Sequence, residues 1–75
     1  MESNINNYFL TNVKLQIKFI NESDFTRTEK MYYLLGYKAS LIALKDIQKE
    51  NLDNIFKIID DEVNNIIGEI ARYGE

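Results

Sequence analysis

Asp60-Asp61-Glu62 is the densest group of titratable side chains in the chain. Paired carboxylates can serve as general acid and base, or hold a hard cation such as Ca²⁺ or Mg²⁺. The spacing works against both uses. Adjacent residues of a helix do not share a face, and Asp53, Asp60 and Asn64 come closer to one side than the triplet does. The D-x-[DN]-x-[DN]-G pattern of a calcium loop is missing, so a solvated face accounts for the cluster. No second feature supports a catalytic reading of the cluster. With no His and no Cys, there is no imidazole base, no thiolate and no disulfide. The expectation is a protein that is not an enzyme, with no catalytic residue, no cofactor and no metal ligand.

The remaining chemistry is recognition chemistry. Tyr32-Tyr33, with Tyr37 beyond them, and Tyr8-Phe9 concentrate the aromatic side chains. Tyr32 and Tyr33 cannot face the same way on a helix, and an exposed Tyr is typical of a recognition surface. Tyr8, Phe9, Tyr32 and Tyr33 are therefore the candidate partner surface. Lys30 and Lys38 flank the tyrosine pair. Aromatics among cations can stack nucleobases, and the plainer account is core packing with lysines snorkelling past it. Lys14 and Lys18 form a cationic pair four residues apart, too weakly charged for a membrane-surface helix.

Charge is divided along the chain. The net charge is −3. Residues 1–45 carry six Lys/Arg and four Asp/Glu, about +2; residues 46–75 carry three and eight, about −5. A mildly basic half beside an acidic half suits antiparallel packing of one on the other, or on a second copy. The acidic total argues against general nucleic-acid binding. No apolar run approaches the length of a membrane span. The start of the chain lacks a basic segment followed by an apolar one, and with no Cys this points to the cytoplasm.

The elements that position these residues follow from periodicity. There is no Pro and there are only three Gly in 75 residues, which favours long helices in a single domain spanning 1–75. Two periods compete in the first segment. Val13, Leu15, Ile17 and Phe19 alternate with polar residues, as in a strand. Leu10, Val13, Ile17 and Ile20 step three, four, three, as in a helix. Nothing else could pair with a lone strand, so a helix over about 5–20 is expected. Asn21, Ser23 and Asp24 then mark a turn. Thr26 and Glu29 stand at capping-box spacing, which starts a second helix. Leu34, Tyr37, Leu41 and Leu44 give it an a/d seam. Gly36 lies inside it; a close helix contact would account for it, and so would chance. A break is expected at 49–54, with Asn51 as a cap; one continuous helix over 26–73 is the alternative. The last segment has the most regular pattern. Leu52, Phe56, Ile59, Val63, Ile66, Ile70 and Tyr73 step by four and three throughout, and Gly74 follows as a helix stop.

A chain this short has a small core, and oligomerisation is the ordinary remedy when disulfides are absent. The expected fold is therefore all-α: a short N-terminal helix, then a long antiparallel helical hairpin, paired with a second copy into a dimeric bundle. The two seams would form the dimer or hairpin interface.

The stretch YFLTNVKLQI, followed fifteen residues later by YY, resembles the YvfG family of small proteins from Bacillus and its relatives. The matching positions are Tyr8, Phe9, Asn12, Lys14, Ile17, Tyr32 and Tyr33, with similar residues at Leu10 and Val13. The likeness covers roughly residues 8–33 and fades beyond; Asp61-Glu62 and Asn64 match only with a shift. The resemblance implies a small all-helical, self-associating protein of a low-GC Gram-positive bacterium or its phage. It implies no activity, and no functional residues carry over.

The functional expectation is a non-catalytic protein-binding module, an adaptor or inhibitor of a larger bacterial or phage protein, acting as a homodimer. The alternative is a small nucleic-acid-binding regulator that presents Arg27, Lys30, Lys38 and Lys45 to phosphates.

Overall fold

A computed structural model describes residues 4–48 and 51–75. Three helices follow one another: α1 (Asn4–Asn21), α2 (Arg27–Gln48) and α3 (Asp53–Tyr73). No strand occurs among the described residues. The helical period of the first segment wins over its alternation. At 18 residues α1 is nearly as long as the 22 residues of α2 and the 21 of α3, so the N-terminal helix is not short.

The boundaries have local causes. Ser23 ends α1: its hydroxyl donates to the Ile20 carbonyl at 2.6 Å and accepts from the Phe25 N–H at 3.2 Å. The capping box then forms in full. The Thr26 N–H donates to Glu29 Oε1 at 2.9 Å, and the Glu29 N–H donates to Thr26 Oγ1 at 3.1 Å. This reciprocal pair satisfies two donors that the first helical turn leaves open. Of the expected break at 49–54, residues 49 and 50 lie outside the described residues. The break itself is present, because residues 51 and 52 are not helical and α3 starts at Asp53. The N-cap of α3 is Leu52 rather than Asn51. Asn51 acts one residue earlier, accepting the Asp53 N–H at 2.9 Å. Gly74 closes α3 at φ 83°, and its N–H donates to the Ile70 carbonyl at 2.8 Å. That left-handed φ suits a residue without a Cβ.

The core is wholly aliphatic. α1 supplies Val13 and Ile20, and α2 supplies Leu34 and Leu41. Leu52 and α3 residues Ile55, Ile59, Val63 and Ile66 complete it. No polar side chain is buried among the described residues. α3 thus carries most of the core, and its contact with α2 is the most extensive in the molecule. Two ion pairs mark their alignment: Arg27 meets Glu69 at 3.3 Å and Lys38 meets Asp60 at 2.8 Å. Rising numbers on α2 meet falling numbers on α3. α1 lies mainly on α3 and touches α2 only lightly. No helix among the described residues is long and apolar enough to cross a membrane.

Two sequence expectations need correction within the chain. Leu44 is 38 % exposed and Tyr73 is 67 % exposed, so the last position of each a/d seam is not covered within the chain. A straight helix drifts about 20° per heptad from a strict seven-residue repeat, which rotates the last seam positions outward. Ile55, off the seam by the heptad count, is fully buried instead. The other correction is Gly36. An added Cβ would meet nothing within 4 Å, so no close helix contact explains it.

Candidate interaction surface

The light contact between α1 and α2 leaves an open edge, and the aromatic residues gather there. On α1, Tyr8, Leu15 and Phe19 are 65 %, 56 % and 53 % exposed. Their spacing of seven and four places them on one stripe, about a third of a turn away from the buried Val13 stripe. On α2, Tyr33 and Tyr37 face them. Phe19 lies against Tyr33, with ring centroids 5.9 Å apart, and stands edge-on to Phe25 at 6.0 Å and 84°. Phe25 closes the triangle with Tyr33 at 6.0 Å. Offset and edge-on contacts of this kind follow from the quadrupoles of the rings.

Neutral hydrogen bonds stitch the two helices. The Tyr37 hydroxyl donates to Asn12 Oδ1 at 2.5 Å, and the Tyr33 hydroxyl donates to Gln16 Oε1. Burial raises the pKa of the Tyr37 phenol above its ordinary value, with Tyr8 and Tyr33 adding to the effect. Amide and phenol groups are therefore the polar chemistry that joins the two helices.

The four candidate partner residues do not lie on one surface. Tyr8 and Tyr33 lie on the open edge with Tyr37 between them. Phe9 is partly buried, packs against the core, and meets the Tyr8 ring edge-on at 5.6 Å. Tyr32 is 65 % exposed, about 100° around α2 from Tyr33, and belongs to a different face. Leu15 and Phe19 are the members that the sequence reading missed. Their signal was present in the strand-like alternation of residues 13–19, which is what two apolar stripes on one helix produce.

The cations offered to nucleic acid are differently placed. Arg27 pairs with Glu69, donates to the Gly74 carbonyl at 3.4 Å, and lies 5.2 Å over the Tyr73 ring. Lys38 pairs with Asp60 and lies 5.9 Å from the centre of the Phe56 ring. Lys30 and Lys45 are half-buried. In the acidic triplet, Asp60 meets Lys38, and Asp61 meets Lys57 at 3.1 Å one turn before it. No group of three metal-capable side chains occurs among the described residues. No protein-family model, curated protein or solved structure matches the chain.

Proposed function

We propose that this protein is a non-catalytic binding module that covers a surface of a larger protein, and that it does so as a homodimer working in the cytoplasm. The observation that carries the reading is the open aromatic edge between α1 and α2. Tyr8, Leu15, Phe19 and Tyr33 expose rigid rings and an aliphatic side chain beside amide and phenol groups. Tyrosine-rich, charge-poor patches of this kind bury large area at low entropic cost in protein interfaces. Aromatics of about 200 Å² each, a third to two-thirds exposed, give a patch of several hundred Å², in the range that marks functional surfaces.

The nucleic-acid alternative ranks lower on a specific observation. Two of its four cations, Arg27 and Lys38, already face carboxylates, and phosphate would have to displace them. The kinship implied with YvfG-like proteins supports self-association and adds no partner.

The test is capture of a partner from host lysate on the tagged chain, with nuclease and at moderate salt, beside a Phe19→Ser chain. A stoichiometric protein held by the native chain and lost from the variant is the expected result. Capture that nuclease abolishes transfers the reading to nucleic acid. Capture that Phe19→Ser leaves unchanged removes the aromatic edge from the function.

A further inference from the structure

A second copy of this chain, we propose, docks on the α2–α3 edge that faces away from α1, with α2 of each copy against α3 of the other. The proposal rests on the self-association part of the function above and not on the partner part. On α2, Met31, Leu35, Lys38 and Ile42 recur at steps of four, three and four. On α3, Phe56, Asp60 and Ile67 lie along one side of the buried Val63. Such steps keep side chains on one stripe of a helix. The structure joins the two stripes, because Lys38 Nζ lies 2.8 Å from Asp60 Oδ1 and 5.9 Å from the Phe56 ring centre. Leu35, Ile42 and Ile67 are 41 %, 44 % and 48 % exposed. Within the chain α1 does not cover them. It meets α2 through Tyr33 and Tyr37, and Tyr33 and Leu35 flank the buried Leu34 about 100° to either side.

The chemistry of this edge selects a copy of itself. Its exposed residues are Leu and Ile at heptad spacing, the side chains that interdigitate between helices. The stripes run from residue 31 to 42 and from 56 to 67, so each is about 17 Å long. A two-fold interface requires a surface complementary to itself, and the ion pair near the middle of the patch supplies that. With the two-fold axis parallel to the helices, α2 of one copy lies against α3 of the other, and each Lys38 faces the opposite Asp60. An axis across the helices would set Lys38 against Lys38, so charge decides the arrangement. The result is an antiparallel four-helix centre with one α1 on each outer side, and both aromatic edges stay free. The patch is small for a specific interface, so the dimer forms only as the concentration of the chain rises.

Analytical ultracentrifugation from micromolar to submillimolar concentration tests the proposal, with circular dichroism to confirm that each chain is helical. The native chain dimerises as concentration rises. K38E places two carboxylates on the edge and D60K two ammonium groups, so each alone is monomeric. Mixed in equal amounts they form a one-to-one heterodimer. Leu35→Lys, at an exposed position, also yields a folded monomer and covers the case in which a charge variant unfolds. A native chain that stays monomeric throughout overturns the proposal. So does a dimer that persists in K38E, D60K and Leu35→Lys alike. A Leu35→Lys monomer that still captures the lysate partner shows that the partner reading stands or falls separately.

Discussion

The α2–α3 seam and the α1–α2 edge both gather large apolar side chains, yet one is closed and the other open. The seam is aliphatic, dry and closed: Leu34, Leu41, Leu52, Ile59 and Ile66 are at most 3 % exposed. The edge is aromatic, half-open and bridged by Tyr–Asn and Tyr–Gln hydrogen bonds. Fully burying an aliphatic side chain is worth about 1.5–3 kcal/mol, whereas a neutral hydrogen bond nets about 0.5–1.5 kcal/mol. The seam therefore holds the fold, and the edge holds α1 in place while presenting its rings. The closed core contact and the exposed aromatic rings thus lie on two sides of α2.

The sharpest break of this contrast is Ile59→Asp. Ile59 is fully buried in the middle of α3, and an unpaired carboxylate there has no partner. A loss of several kcal/mol is expected, enough to abolish the cooperative melt followed by circular dichroism. Ile59→Ala grades the same effect at roughly 2–5 kcal/mol. A melt unchanged by either would mean that α3 is not the centre of the core.

The seam was legible in the sequence because a buried aliphatic stripe writes its own period. Leu34, Leu41, Ile59, Val63 and Ile66 stand where their spacing put them, and the capping box Thr26–Glu29 was equally plain. The edge was hidden because only the pairing of α1 with α2 brings its few residues together. Its members sit on two helices that touch lightly, and on α1 its stripe interleaves in sequence with the core stripe a third of a turn away, so Val13-Leu15-Ile17-Phe19 mimics a strand. Pairing across helices also decided what no spacing could: Tyr33 finds Gln16 and faces Phe19, while Tyr32 beside it points elsewhere. Ile55 was missed because a strict heptad count leaves it off the seam.

Intermediate effects separate the helix ends from the interior. Thr26→Ala removes the acceptor of the Glu29 N–H, and should cost about 1 kcal/mol, visible as a melting temperature lower by several degrees. Gly36→Ala should go the other way. Its Cβ enters open space, so the gain in helix propensity of about 1 kcal/mol is not offset by a clash. A destabilised Gly36→Ala chain would show that something covers this face in solution.

Alkaline pH probes the edge directly. The Tyr37 pKa is raised in the folded state, by burial first, so the folded chain keeps a proton that the unfolded phenol releases. Stability from this group is complete below the ordinary tyrosine pKa near 10 and is lost as pH rises through the higher folded value. Deprotonation also removes the donor to Asn12. Hydrogen exchange above pH 10 should therefore show α1 loosening before the α2–α3 seam.

The smallest expected effect on stability is the most informative about function. Phe19 touches Phe25 and Tyr33 but is 53 % exposed. Phe19→Ser gives up two exposed ring contacts, each worth about 1 kcal/mol or less, and leaves every fully buried side chain in place. Its melting temperature should fall by a few degrees, far less than for Ile59→Ala, and its helicity should be unchanged. If the edge is a recognition surface, the same variant loses its partner while remaining folded. If instead Phe19→Ser destabilises the chain as much as a core truncation, the rings are part of the core, and the separation of stability from recognition across α2 fails.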